Sequence, residues 1–314
     1  YWRDWSSDVC SSDLEVIDFY EGCGFDRGVA PDHIIFGFHR SGDEPDLPTL
    51  REYRRRTKIT RDNAAYFLDR HRKRDCSFEP MAVAHGWNAE SYAENCAEMI
   101  RLGYRRIALG GMVPLRTLDI IETLKVVKPE LSEATELHLL GVTRVEEMHL
   151  FMNYGVTSFD STSPFFQSFK DADDNYYLGE TTYMAIRIPQ VDGNTRLKKL
   201  IASGRIDQSH AIQLERKALS SIRRYAERSE SVASVLNAIM EFENLMPQRT
   251  DHSKGYLRTL EARPWEQCSC GICEEVGVEV IIFRGSERNK RRGFHNLAVF
   301  RDRMDNLEIP REVG

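Results

Sequence analysis

The sequence predicts an α/β protein in which a parallel sheet covered by helices is followed by a helical insertion and a compact metal-binding segment. Three observations carry this reading. From about residue 80 to residue 160, short apolar runs alternate with amphipathic helical patterns at a spacing that suits successive β-α-β units. Small or polar residues (His85, Gly110, Gly111, Gly141 and Asp160) stand at the C-terminal ends of successive apolar runs. Near the C-terminus, Cys268, Cys270 and Cys273 form a C-x-C-x-x-C run with His295 downstream. The alternation alone leaves two closures open, a barrel or an open doubly wound sheet.

The first fourteen residues differ in character from the rest. Asp8-Val9-Cys10-Ser11-Ser12-Asp13-Leu14 matches the translated end of a common sequencing adapter, so residues 1–14 read as an artefact or a disordered tail, with natural sequence from about Glu15. A short helical pattern from Val16 to Cys23 ends at Gly24. Pro31 to Phe38 then reads as a buried strand from its apolar run. Residues 50–74 are highly charged with apolar positions at helical spacing (Tyr53, Ile59, Ala64, Phe67, Leu68), which predicts one or two surface helices.

Met81 to Ala84 is the next strand, ending in His85-Gly86. Asn88 caps a helix whose buried stripe is Tyr92, Cys96, Met99 and Ile100, and Gly103 suits its left-handed stop. Strand Arg106–Leu109 runs into Gly110-Gly111, and a helix from about Leu115 to Val127 precedes Pro129. Strand Glu136–Leu140 ends at Gly141. Thr143 and Glu146 form a capping box for a helix closed by Gly155, and strand Val156–Phe159 ends on Asp160. Residues 161–192 are polar and aromatic without period. Thr195 to Met246 reads as two or three amphipathic helices, Val278 to Phe283 as a strand, and a final helix begins near His295.

With 314 residues, 41% of them hydrophobic, the chain is long enough for one barrel-sized domain with an insertion or for two smaller domains. The net charge of -6 does not mark a nucleic-acid binder, yet basic clusters occur at Arg54-Arg55-Arg56-Thr57-Lys58, His71-Arg72-Lys73-Arg74 and Arg288-Asn289-Lys290-Arg291-Arg292. Taken singly, each reads as a solvated face. No apolar run reaches the length of a membrane span and no cleavable signal is visible, so a cytoplasmic protein is expected. Cys10, Cys23, Cys76 and Cys96 are scattered singly, which suggests a reducing compartment.

The three clustered thiols lie close enough for one tight turn to aim them inward, and His295 completes a tetrahedron from a following helix. Four protein ligands leave no open position, so the expected zinc is structural. An iron–sulfur cluster would want a fourth thiolate, and none is near. Asp160, directly after a buried strand, lies on the rim where a barrel builds its active site. A carboxylate there can attack a sugar carbon, as in retaining glycosyl transfer. A Rossmann site and a P-loop are excluded because neither glycine pattern occurs, and a metallohydrolase lacks its His-x-His or His-Glu-x-x-His.

The combination of Ala84-His85-Gly86, Ala108-Leu109-Gly110-Gly111-Met112, Leu140-Gly141-Val142, Gly155-Val156-Thr157-Ser158-Phe159-Asp160 and C-x-C-x-x-C with Phe294-His295-Asn296 resembles the tRNA-guanine transglycosylase family. The resemblance implies a (β/α)8 barrel, here truncated to about five strands, that exchanges guanine in a polynucleotide for a 7-deazaguanine. It implies that residues 15–165 are the partial barrel, 166–262 a loop and helical insertion, and 263–314 a zinc-binding subdomain with the C-terminal helix. Asp160 matches the family's nucleophile, and Gly110 and Gly111 match the double glycine whose backbone lies against the base. Met112 and Gly141 belong to the same substrate-binding set. His85 stands where the family usually has Gln. Cys268, Cys270, Cys273 and His295 match the zinc ligands.

A further essential aspartate of the family, in an Asp-Ser-Gly-Gly type motif, belongs upstream of these residues. The helical insertion, Asp32-His33-Ile34-Ile35, Arg284-Gly285 and Arg291-Arg292-Gly293 look more like the DpdA-type branch, which acts on DNA and inserts bases such as preQ0. The implied partners are therefore DNA rather than tRNA, a 7-deazaguanine base, and a homodimer mate or DNA-modification proteins, with no membrane. Arg288, Lys290, Arg291 and Arg292 are the expected phosphate contacts. The competing readings are a tRNA-specific enzyme and a zinc-stabilised nucleic-acid-binding module that does no chemistry.

Overall fold

The fold is that of a computed structural model that describes residues 9–142, 144–170, 173–246 and 250–306. Two compact units divide the chain, one up to Ser161 and one from Thr162 through the last helix.

The first unit contains α1 (Val9–Cys23), β1 (Arg27–Val29), α2 (Leu47–Arg74), β2 (Glu79–Ala84), α3 (Ala89–Leu102), β3 (Arg106–Leu109), α4 (Thr117–Val127), β4 (Glu136–Leu139), α5 (Met148–Met152) and β5 (Val156–Phe159). The strands form one parallel sheet in the order β1-β2-β3-β4-β5. Sequential parallel order with a helix at most crossovers is what the alternating pattern predicts. β2 and β3 are buried along most of their length, as strands covered on both faces must be.

The local signals explain the element ends. Asn88 accepts from the Ser91 N–H at 2.9 Å while the Ser91 hydroxyl accepts from the Asn88 N–H at 3.1 Å, a reciprocal cap for α3. Gly103 ends that helix at φ 104°. The charged stretch 50–74 is a single helix, capped by Asp46 through the Thr49 N–H. Much of its basic character is paired along its own surface: Arg55 and Arg56 with Glu52, Lys58 with Asp62, Lys73 with Asp69. Thr143 of the expected capping box lies outside the described residues.

The first strand corrects the sequence reading. The apolar run 31–38 is not a strand, because Arg27–Val29 takes that place against β2. Instead, residues 30–40 form a strap without regular secondary structure, three of whose backbone polar groups pair with side chains of α2. The His33 N–H donates to the Thr60 hydroxyl at 2.9 Å, the Pro31 carbonyl accepts from Asn63 at 3.3 Å, and the Ile34 carbonyl accepts from Arg56 at 2.8 Å. Ile35 is buried, whereas Phe36 is 72% exposed, so the run is not uniformly a core segment.

The second unit contains α6 (Ser163–Gln167), β6 (Tyr176–Leu178), β7 (Thr181–Tyr183), β8 (Ile186–Arg187), α7 (Thr195–Ala202), α8 (Gln208–Ala226), α9 (Val232–Glu243), α10 (Ser253–Ala262), α11 (Pro264–Gln267), α12 (Gly271–Val276), β9 (Ile282–Phe283) and α13 (Gly285–Asp305). β6 and β7 form an antiparallel pair, and β8 and β9 a short parallel one. The apolar run 278–283 is mostly a 3-10 turn, Gly277–Ile281, with only Ile282–Phe283 as strand. α13 begins ten residues before the expected start at His295. One hydrophobic core joins Leu197, Ile222, Val235 and Ile239 of the helical stretch to Trp265, Cys273, Val280 and Ile281. The boundary expected between residues 262 and 263 therefore runs through a single core.

Candidate functional site

Strand register gathers the first group of residues. Val83 pairs with Ala108, Ala108 with His138, and His138 with Ser158. Side chains alternate along a strand, so the positions two residues further on, His85, Gly110 and Asp160, continue the same face at the C-terminal edge of the sheet. Met81, Val83 and Ala108, with Val29 and Leu140, pack as an apolar floor on that face.

His85 is 2% exposed, and its Nε2 is hydrogen-bonded to the carboxylate of Asp32 on the strap. Its Nδ1 is buried with no hydrogen-bond partner. The ring lies flat against Gly110: a Cβ there would stand 2.2 Å from His85 Cε1. Gly111, at φ 76°, is closed in by the Ile35 carbonyl oxygen and the Tyr92 hydroxyl, which would stand 3.0 and 3.1 Å from an added Cβ. Tyr92 donates to the Gly110 carbonyl at 2.7 Å, and Asn95 donates to the His85 carbonyl at 2.8 Å. Met112, in the same loop, is fully buried. Where His85 Nε2–H donates to Asp32, Nδ1 is left as a buried acceptor.

Asp160 closes β5 with its carboxylate 57% exposed. Oδ1 accepts from the Gly141 N–H at 2.9 Å and contacts His138 Nε2 at 3.3 Å, while His138 Nδ1 meets the Ser158 hydroxyl at 2.9 Å. The loop between β3 and α4 reaches both groups. Gly110 lies against His85, and a Cβ on Gly141 would meet Val113 Cγ2 at 2.6 Å. Two participants are not among the expected site residues: Asp32, read only within the Asp32-His33-Ile34-Ile35 run, and His138. The first follows β1 directly after Pro31. The second is the one imidazole in Leu137-His138-Leu139, between Ala108 and Ser158 of the flanking strands.

The second group lies wholly in the second unit. The donor atoms of Cys268, Cys270, Cys273 and His295 all fall within 4.8 Å of one another. His295 Nδ1 lies 3.6, 3.3 and 3.3 Å from the three sulfurs in that order. A tetrahedral ion about 2.3 Å from sulfur and about 2.0 Å from nitrogen needs donors about 3.5–3.8 Å apart, so the residues fit a metal ion. His295 Nε2 donates to the Tyr177 carbonyl at 2.8 Å, which fixes the tautomer that leaves Nδ1 free for a ligand bond. The Tyr176 ring stacks on the imidazole at 4.1 Å, and its hydroxyl lies 3.2 Å from Cys273 Sγ. A hydrogen bond from Cys273, outweighing burial and joined by His295, pulls Cys268 down to about 3, and the same bond together with burial pushes Cys273 upward. Burial pulls His295 down, but its bonds to Cys268 and Cys270 outweigh that and hold it at about 9. Crowded thiols and an imidazole that share protons in this way form a donor set that a divalent cation satisfies in their place.

The basic cluster on α13 divides by burial. Arg292 is fully buried and donates to the carbonyls of Val280, Ile282 and Ser168 and to the Asn289 side chain, with its guanidinium over the Phe283 ring. It holds the fold together and is not available to a phosphate, which corrects its expected role. Arg288 is half-buried and ion-paired with Glu279. Lys290 pairs with Glu287 at 2.9 Å on the surface, and Arg291 is exposed.

No helix among the described residues is long and apolar enough to cross a membrane. No protein-family profile matches the chain. A DNA-guanine transglycosylase of Salmonella montevideo is 45% identical to it over 294 residues, which is 92% of this chain and 70% of that protein.

Proposed function

The chain belongs to the DNA-guanine transglycosylases, a branch of the tRNA-guanine transglycosylase family, and on that premise we propose that it replaces guanine in DNA with a 7-deazaguanine such as preQ0. The observation that carries the mechanism is the carboxylate of Asp160, held by the Gly141 N–H and by His138 on the face that also bears Gly110 and His85.

An Asp160 oxygen attacks C1′ of the target deoxyribose. The C1′–N9 bond breaks, its electron pair leaves with guanine, and the sugar is held as an ester of Asp160. Guanine takes a proton from water at N9 and departs. The incoming base gives its N9 proton to water, attacks C1′, and returns the electron pair of the ester bond to Asp160. The Gly141 N–H and the His138 N–H stabilise the carboxylate each time it is released.

The flat base is received over the backbone of Gly110 and Gly111, bordered by Met112 and Gly141. His85 Nδ1, facing inward as an acceptor, takes an N–H from the base edge, and Asp32 holds the ring in that tautomer. Guanine and 7-deazaguanines present the same N1–H and N2–H₂ edge, so one reader serves both. The nucleotide leaves its stack to enter. Cys268, Cys270, Cys273 and His295 hold a zinc ion whose four protein ligands leave no position for substrate, so its contribution is structural. Arg291 and Lys290, on the exposed part of α13, contribute phosphate contacts.

Trapping tests this reading. Incubated with guanine-containing DNA and preQ0 and then denatured, the chain should carry a covalent DNA adduct that Asp160→Asn lacks while keeping its DNA affinity. A DNA digest should contain the deazaguanine nucleoside. Exchange at the parental rate in Asp160→Ala would refute the assignment, and exchange on tRNA but not on DNA would refute the substrate.

A further inference from the structure

From the geometry at the N-terminus of α4 we infer a second polynucleotide contact, a two-arginine fork that grips one phosphodiester of the DNA strand carrying the target nucleotide; it rests on the transglycosylase reading above. Asp119, in the first turn of α4, has a side chain only 2% exposed, and two arginines converge on it. Arg40, at the end of the strap, donates Nε and one terminal nitrogen to the two carboxylate oxygens, both at 2.8 Å. Arg116, at the N-cap of α4, donates the same pair at 2.9 and 3.0 Å. These hydrogen bonds from Arg40 and then Arg116 hold the Asp119 carboxyl far below the usual carboxylate range.

The arginines themselves stay in solvent, with side chains 54% and 63% exposed. One buried carboxylate thus locks two like-charged guanidiniums side by side at the surface. A helix cap needs neither arginine, because the Arg116 N–H donates to Asp119 at 3.2 Å without them. Each guanidinium uses Nε and one terminal nitrogen on Asp119 and leaves its second terminal nitrogen turned outward. Two cations sharing one anion carry a net positive charge, and their outward donors suit the two anionic oxygens of a phosphodiester.

The other charges around them are few. Asp43, itself 3.3 Å from His39, and Glu122 are the acidic groups that act on Arg40. Arg144 comes to the same turn, donating to the Thr117 hydroxyl at 3.2 Å and to the Leu115 carbonyl. Position favours the target strand over a remote phosphate. Arg116 ends the loop whose start lies against His85 and whose Val113 covers Gly141, the residue that holds Asp160. Arg40 ends the strap whose Asp32 holds His85. Both prongs are therefore tethered to the residues that read and displace the base.

The test is the salt dependence of binding to a short guanine-containing duplex. Each phosphate neutralised contributes about 0.9 to the slope of log K against log salt. The variant Arg40→Gln/Arg116→Gln should bind more weakly, with a slope shallower by about 0.9. Arg40→Lys/Arg116→Lys should keep the parental slope and still lose affinity, because a lysine supplies charge without the fork. Removing both arginines leaves a buried carboxylate uncompensated, so the neutral triple variant with Asp119→Asn repeats the measurement in a chain without that penalty. Folded double and triple variants that bind with the parental slope and affinity would overturn the fork alone. Absence of DNA binding in the parent chain would overturn the DNA reading itself and the fork with it.

Discussion

His138 sits on β4 between Ala108 and Ser158 of the flanking strands, and what it does there follows from its two hydrogen bonds. With Ser158 donating to Nδ1, the proton resides on Nε2 and is offered to Asp160. The proposed nucleophile is thereby oriented by an imidazole N–H. Loss of a hydrogen bond to a charged group is worth about 1.5–3 kcal/mol, so His138→Leu should lower kcat about tenfold to a hundredfold with little change in KM for DNA. His138→Gln, which keeps a donor at a similar reach, should restore much of that loss. Steady-state rates for the two variants decide it, and a parental kcat in His138→Leu would remove His138 from the mechanism. Arg292 teaches the converse lesson. In sequence it belongs to a basic run, yet its charge is satisfied by buried carbonyls and an aromatic face.

Among the elements, the loop from Gly110 to Arg116 is the most constrained by its neighbours. An added methyl at Gly110 would overlap the His85 ring at 2.2 Å, so the imidazole must move. Gly110→Ala should therefore raise KM for the incoming base, and overpacking should cost about 1–3 kcal/mol in urea unfolding. Unchanged KM with normal stability would show that the ring does not meet the base. Much of this scaffold was legible beforehand: Asn88 and Gly103 bracket α3, and Gly111, Gly141 and Asp160 end their strands, because caps and tight turns have residue-specific chemistry. The strap and the 3-10 turn before β9 were not legible. A short apolar run says that a segment is buried, not where its N–H and C=O groups go. For residues 31–34 they go to Thr60, Asn63 and Arg56 on a helix distant in sequence. The start of α13 was missed because Gly285 and a charged first turn carry no capping signature. The roles of Asp32 and His138 become visible only through partners 53 and 22 residues away.

At the scale of the whole molecule, the cluster of Cys268, Cys270, Cys273 and His295 that could hold a metal ion belongs to the core of the second unit and is not an appendage to it. Cys273 is buried in that core with Val235, Ile239 and Ile222, and Cys268 and Cys270 pack against it. Metal binding and folding are coupled, so removing the ion should loosen α8 and α9 as well as the turn that carries the thiols. Chelation, or Cys270→Ser, should speed amide exchange throughout those helices and leave β2, β3 and β4 protected. Exchange confined to residues 268–276 would show that the cluster is energetically separate from the helices.

The strap also acts as a ruler. Arg40 follows Asp32 by eight residues, with Asp32 fixed on His85 and Arg40 fixed on Asp119. One residue inserted between them would add up to about 3.3–3.6 Å of chain between the two anchors. On the proposed reading, base edge and phosphate would then fall out of phase, although every chemical group remained present. Length is therefore as much a determinant of this segment as identity, whereas the exposed turn after Arg40 carries no such metric and is free to lengthen.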